Sequence, residues 1–391
     1  MAIVTVAARR AVLGGTAPGL SRRRRAARRG SRFSQVRIGA RGAARRLSGR
    51  YMAAAGASGL YVNPNTGDTQ AGLAPFRNAI INGDMRINQR GTSTNLASLS
   101  TVVAASPGSF VTDRWNVFRG SYVAGAVIGQ GTDLTTSDLP FSEAGIKTFG
   151  RIGRLSGNAL TNSINFHYNM ESQDCDRFIG KKITVSFYYR IGSNFSGTSI
   201  GFEILTGTGT DQGLRNGITG AVIAGSSGSL SLNTAWQRRS VTCTLGSNIN
   251  QIFLSIAYAP TGTAGAADYF DITGVQLELG SVATPFEVRP YSLEMLLCIR
   301  YYQIVPAGVF AGNTNGSGAF SIIRILFPQM RSTPTIANNP INIEISGYGS
   351  INYTLTPGTP SIISQNLSGT WGTIYGGALL TTTNIQLVAE L

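Results

Sequence analysis

The stretch "IGKKITVSFYYRIG", Ile179–Gly192, puts Ile183, Val185, Phe187 and Tyr189 on one parity and Thr184, Ser186, Tyr188 and Arg190 on the other. Successive side chains of a strand point to opposite faces, so this period of two predicts a strand with one apolar face. Working outward, "NTAWQRRSVTCTLG" (233–246) alternates through Trp236, Val241, Cys243 and Leu245, and "QIFLSIAYAP" (251–260) and "DYFDITGVQLELG" (268–280) add two more strands. Towards the N-terminus, "FRNAIINGDMRINQRGTS" (76–93) and "FVTDRWNVFR" (110–119) read as two apolar strands around a Gly/Asn/Ser-rich loop, with Trp115 and Phe118 as large core candidates. No helical crossover separates these segments, so the prediction is an all-β, double-sheet jelly-roll β-sandwich rather than a parallel sheet.

Composition agrees with an all-β chain. Among 391 residues only 13% are charged, against about 25% in an ordinary soluble domain, and there are 49 glycines. No apolar run approaches the roughly 18 residues of a membrane span, so no membrane-crossing segment is predicted. Cys175, Cys243 and Cys298 are far apart and lack metal or redox spacing, and they read as small buried apolar residues.

One stretch breaks the β pattern. After the last predicted sandwich strand, "RPYSLEMLLCIRYYQ" (289–303) writes a single helix: Pro290 pushes Arg289 out of the α region, Ser292 can cap, and Glu294 sits in the first turn. Leu293, Leu296, Leu297 and Tyr301 recur at helical spacing and predict an apolar face laid on the sandwich as a latch. Beyond Gln303 the chain holds only Arg324, Arg331, Glu344 and Glu390 as charged residues. So little charge over strand-like segments suggests surfaces shared with other copies, as in a homo-oligomer, most simply a trimer. The organisation expected is an arm over 1–67, the jelly roll over 68–287, the helical latch over 288–303 and a smaller C-terminal β domain over 304–391, suited to oligomerisation or to forming a tip.

Of the net charge of +15, all but one unit lies in the arm. Of 33 basic residues, 14 fall within 1–67, where there is no acid, leaving 19 against 18 acidic residues in the rest. Arg22, Arg23, Arg24, Arg25, Arg28 and Arg29 lie among Gly, Ala and Ser, too polar to form a core, which predicts disorder. Such an arm can neutralise the phosphates of nucleic acid, dock on an acidic partner or act as a transit peptide. It can also be upstream sequence outside the working protein, because Met52 opens an ordinary N-terminal stretch.

The ordered series "INGDMRINQRGT" (81–92), "TDRW" (112–115), "GKKITVSFYYR" (180–190), "AWQRRSVTCTL" (235–245), "VQLELGSVATPFEVRPYSLEMLLCIRYYQ" (275–303) and "FPQMRSTPTI" (327–336) resembles the carbohydrate-binding-module-like jelly-roll region of bacteriophage tail-fibre and other virion appendage proteins. The resemblance spans about residues 76–336; the Arg-rich arm departs from it and it fades at the C-terminus. It implies a structural virion protein, a tail-fibre or capsid-fibre subunit on the particle surface, with other virion proteins and host-surface glycans as partners. It also implies a structural Ca2+ between an early acidic residue and the last sandwich strand, which puts Asp84 and Asp271 forward. The main alternative is a capsid protein using the arm on packaged nucleic acid, and behind it a glycan depolymerase.

A sugar site needs aromatic rings for C–H faces and amide or charged groups for hydroxyls. Tyr168, Tyr188 and Tyr189, with Asn165, Asn169 and Arg190 beside them, supply that mixture, while Trp115 and Trp236 sit in strand patterns and read as core. Enzymatic chemistry is sparsely provided for. His167 in "NFHYNM" is the single histidine, more suited to packing than to a triad, and Asp174/Asp176 and Asp268/Asp271 are the closest carboxylate pairs. At i,i+2 in a strand, Asp174 and Asp176 would share one face, but such pairs are more often loop and turn residues or ion ligands. The expectation is a protein without catalytic activity or a required cofactor.

Overall fold

The structure, a computed structural model, describes residues 60–62, 69–71, 76–92, 94, 100–101, 109–119, 126–132, 134, 138, 145–307, 309–311, 320–338, 341–345, 349–353, 362–368, 378–381 and 384–391. The arginines Arg22 to Arg29, Met52 and the side chain of Phe118 lie outside the described residues. The chain divides into two units, Met1–Gly72 and Leu73–Leu391. In the first, β1 (Leu60–Val62) pairs antiparallel with β2 (Thr69–Ala71).

The second unit is built on twelve strands: β3 (Ser100–Thr101), β4 (Ser109–Thr112), β5 (Trp115–Arg119), β6 (Ala126–Gly131), β7 (Phe149–Arg154), β8 (Ile164–Asn169), β9 (Lys182–Ile191), β10 (Gly201–Gly207), β11 (Val222–Ser229), β12 (Gln237–Thr244), β13 (Gln251–Tyr258) and β14 (Tyr269–Leu279). They form two six-stranded sheets, β11-β10-β13-β8-β5-β4 and β12-β9-β14-β7-β6-β3, in which every ladder is antiparallel. The alternation in β9 is realised as predicted. Ile183, Val185, Phe187 and Tyr189 enter the core between the sheets, facing Phe166, Phe202, Leu254 and Ile256 from the first sheet. Trp115 lies in the same core, stacked on Phe166 at 4.9 Å between ring centroids. Tyr188, on the opposite parity, joins Trp236, Phe149, Ile146, Leu134 and Phe286 in a smaller cluster outside the second sheet.

Residues 76–92 correct the sequence reading, for they contain no strand. Their backbone folds through turns around Asn82, and both Asn82 and Met85 take positive φ (58° each). The segment lies against the bulge of β14: Val275 N–H donates to the Gly83 carbonyl at 2.8 Å, and a Cβ on Gly83 would stand 2.2 Å from the Val275 carbonyl oxygen. Only glycine permits that approach.

A helical turn, α1 (Ser172–Cys175), links β8 to β9, and α2 (Tyr291–Ile299) follows the sandwich. The C-terminal part adds β15 (Tyr302–Val305), β16 (Val309–Ala311), β17 (Phe320–Leu326), β18 (Thr335–Ile336), β19 (Ile341–Ile345), β20 (Gly349–Tyr353), β21 (Ile362–Ser368), β22 (Ala378–Thr381) and β23 (Ile385–Val388). They pair in three small sheets, β15-β23-β18, β16-β22-β19-β20 and β17-β21. The helix exists where the sequence places it, but its buried face is different. Leu296 is 58% exposed, whereas Glu294 and Cys298 are buried, Leu293, Met295 and Leu297 are partly covered, and Tyr301 is buried beyond the helix end. No side chain caps the helix start; the Pro290 carbonyl accepts from the N–H groups of Leu293 and Glu294. The carboxylate of Glu294 is drawn inward by the partners described next.

Candidate functional site

The sequence motifs that stand far apart in the chain meet at one polar seam beside the core. Asn82 is its hub. Its side chain donates to the carbonyls of Ile87 and Asp113 (2.9 Å each) and accepts from Ile87 N–H (2.9 Å). Its backbone carbonyl accepts from Trp115 Nε1 at 2.8 Å, and its N–H donates to Glu294. Asparagine fits here because it both tolerates the left-handed backbone and satisfies these buried groups. Glu294 is held by Arg289 through contacts of 3.2 Å to each oxygen, while Arg289 also donates to the carbonyls of Asn78 and Ile80.

At the far side of the seam, Glu390 after β23 reaches Arg90 (2.7 Å) and Arg114 (2.5 Å). Arg90 lies between the rings of Phe110 and Tyr302, 3.9 and 3.8 Å from their centroids, and Arg114 lies 3.5 Å from the Tyr301 ring and donates to the Asn169 carbonyl. Cation–π contact and the shared carboxylate compensate these guanidiniums where water is scarce. Asp113 accepts from Gln89 N–H and Nε2, and burial pushes its carboxyl up to about 6 despite Arg90 nearby. Asp84, whose Oδ2 lies 3.4 Å from Arg86 Nε, is pushed up to about 6, again mainly by burial. Through these ion pairs and hydrogen bonds the seam holds helix and C-terminus to the sandwich.

Next to the seam an open cleft of about 540 Å3 is lined by Arg86, Asn88, Gly91, Thr92, Thr94, Gln130 and Tyr291. Its floor is fixed by internal bonds: Asn88 Nδ2 donates to the Thr92 carbonyl (2.8 Å) and to Gln130 Oε1 (3.1 Å), and Gln130 Nε2 donates to the Met85 carbonyl (2.7 Å). Tyr291, the first residue of α2, is 57% exposed and presents its aromatic side chain at the rim. An exposed ring beside guanidinium and hydroxyl groups is a mixture that stacks on a sugar face and pairs its polar groups.

The residues proposed from sequence for a glycan surface do not form one. Tyr168 and Tyr189 are core residues of opposite sheets, and Tyr188 packs in the outer cluster. Tyr168 Oη accepts from Ile81 N–H and Tyr189 Oη donates to the Ser231 carbonyl. Alternation put Tyr188 and Tyr189 on opposite faces, and both faces of β9 are covered. Asn169 is buried, its Oδ1 accepting from Leu214 N–H, and Asn165 lies on the outer parity of β8 beside Ser163. Arg190, with Arg151, is bound to Asp271.

That pairing also bears on the Ca2+ expected at Asp84 and Asp271. Asp271 Oδ1 accepts from Arg151 Nε (2.7 Å), and its Oδ2 from Arg151 Nη2 (2.9 Å) and Arg190 Nε (2.8 Å). An aspartate saturated by two guanidiniums does not suit a Ca2+, which needs several oxygen ligands. Asp84 lies 3.4 Å from Arg86 instead, and among the described residues no cluster of three or more His, Cys, Asp or Glu is present. Asp174 and Asp176 are exposed on α1 and the 3-10 turn after it, not on a strand. Asp268 is tied to Arg154 (2.7 Å) and Ser196. His167 is buried on β8 and held down to about 3, mainly by burial and then by Arg215, which makes it a weak base. Sequence reasoning missed Arg86, Asn88, Gln130 and Tyr291. The signal was present in "INGDMRINQRGT", whose Asn, Arg and Gln density is poor strand material, and in the tyrosine set by Pro290 at a helix start.

No protein-family model matches the chain, and no curated protein sequence matches it. Solved structures similar to it include the enzymatically active domain of tailspike protein 4 of bacteriophage CBA120, at 15% identity and a TM-score of 0.31; the match covers 53% of this chain and 22% of that one. A CBM4 structure matches at 15% identity and a TM-score of 0.29, over 48% of this chain and 100% of the other. The C-terminal family 22 carbohydrate-binding module of Clostridium thermocellum Xyn10B matches at 12% identity and a TM-score of 0.26, over 50% and 99%.

Proposed function

We propose that the protein is a non-catalytic subunit of a virion surface appendage whose β-sandwich binds host-surface glycans in the cleft at Tyr291. The observation that supports glycan binding is the exposed Tyr291 ring standing beside a rigid floor of Asn88 and Gln130. A stacking platform fixed on a helix start and a floor locked by its own hydrogen bonds lose little entropy when a sugar binds. The virion part of the reading is supported by the order of the six sequence motifs. Sparse charge over residues 304–391 supports a homotrimer, in which three weak sites act together by raising effective concentration. The test is a glycan array probed with the full chain and with Tyr291→Ala. Selective binding by the full chain that Tyr291→Ala loses is the expected result. Binding that is unchanged by the substitution removes the cleft, and absence of binding to every glycan removes the function.

A further inference from the structure

The charge distribution around the cleft narrows the class of sugar. Among its described lining residues Arg86 is the single charged one, and no carboxylate is among them. The guanidinium is aimed by three groups: Nη2 donates to the Arg289 carbonyl at 2.5 Å, Nε lies 3.4 Å from Asp84 Oδ2, and Nη2 lies 3.8 Å from Glu294 Oε2. Asp84 and Glu294 are 2% and 3% exposed and stand on the inner side, away from solvent. Nη1 donates to no atom among the described residues. Arg86 is therefore positioned without having all its donors used.

The floor, by contrast, has little left to offer a neutral sugar. Both Asn88 donors are committed, and its Oδ1 accepts from Thr92 N–H at 3.2 Å. Thr92 Oγ1 donates to the Phe110 carbonyl, and Gln130 bridges Asn88 and Met85. Among the described residues, what the cleft leaves uncommitted is a cationic donor, an exposed aromatic ring and the hydroxyls of Thr94 and Tyr291. Building on the glycan-binding reading, we propose that the cleft takes an acidic sugar, with its carboxylate on Arg86 and its ring face on Tyr291. A charge-assisted hydrogen bond is stronger than a neutral one and survives in a shallow site where hydroxyl contacts exchange freely with water.

The test titrates the full chain with a uronic-acid oligosaccharide and with the same oligosaccharide after reduction of its carboxyl groups, by calorimetry at low and at high salt. The acidic form should bind about tenfold more tightly at low salt, as expected for one charge-assisted contact. High salt should narrow that ratio, Arg86→Gln should abolish it, and Tyr291→Ala should weaken both ligands alike. Equal affinity for the two forms overturns the acidic specificity while leaving glycan binding intact, and binding of neither overturns both. The ratio measured on the unmodified chain needs no substitution, so it decides the matter even if Arg86→Gln does not fold. Arg86→Lys, which keeps the charge, should retain part of the preference, and a ratio surviving in Arg86→Gln would assign the charge recognition elsewhere.

Discussion

Glu390→Ala tests whether the seam is structural in the strong sense. Its carboxylate is shared by Arg90 and Arg114, and the Arg114 and Glu390 side chains are only 2% and 8% exposed. Two magnitudes compete. A solvent-exposed ion pair contributes about 0–1 kcal/mol, whereas removing one partner of a buried pair costs about 3–5 kcal/mol because the other charge is left uncompensated. Exposure places this pair in the second class, and the committed geometry of Arg114 between Tyr301 and the Asn169 carbonyl prevents it from turning to water. The expected loss for Glu390→Ala is therefore about 3–5 kcal/mol. Replacing both Glu390 and Arg114 by Met should cost less than the sum of Glu390→Met and Arg114→Met, since Arg114 is then not left as an uncompensated charge. Urea unfolding of the four proteins gives the coupling energy directly. A loss below about 1 kcal/mol for Glu390→Ala, with additive single changes, would show that the C-terminal residues fray and that the seam ends before Glu390.

The pH profile carries two opposing contributions. Asp84 and Asp113 are raised to about 6 from 3.8, so their contribution to stability is present at low pH and lost as pH rises through about 6; between pH 7.5 and 5 each gains about 1 kcal/mol. His167 is lowered to about 3 from 6.5, so its contribution is present above 6.5 and lost as pH falls, by about 2 kcal/mol at pH 5. Unfolding free energy should thus stay nearly level from pH 7.5 to 5, while Asp84→Asn or Asp113→Asn should tilt it downward on acidification; a variant profile parallel to the parent's refutes the assignment. Gly83→Ala should cost at least about 2 kcal/mol by forcing the turn off Val275, read as a lower urea midpoint at unchanged slope. Tyr291→Ala should change stability by less than about 0.5 kcal/mol, because the ring is mostly exposed, so any loss of glycan binding it causes is local.

The sandwich was legible because its signal is periodic and local. Ile183, Val185, Phe187 and Tyr189 each report their own face through position alone, and a run of such strands without crossovers leaves few architectures. The helix was legible for the same reason, since Pro290 and Glu294 mark its start. Its buried face was not, because helical periodicity assumes that leucines go in and glutamates out. Glu294 goes in because Arg289, five residues earlier, meets it beside the Asn82 turn, and that encounter depends on a segment more than 200 residues away. Leu296 is exposed as a consequence of the rotation that serves Glu294.

The candidate site was illegible for a related reason. Aromatics near amides in one strand pair look like a sugar platform, but in a sandwich covered on both faces each strand aromatic has a packing task, and Tyr168, Tyr188 and Tyr189 all have one. An exposed ring must come from an element that the sheets do not cover. Tyr291 qualifies because it begins a helix whose inner side is anchored by Glu294, which leaves the first residue at the rim. The cleft floor comes from the turn segment 81–92, whose asparagines and glutamine satisfy buried backbone first and are spent in doing so. Site and seam are thus two sides of one construction: the ion pairs that fix the helix also fix the ring and the free donor of Arg86, so a loss of Glu294 should disturb binding and stability together, while a loss of Tyr291 should disturb binding alone.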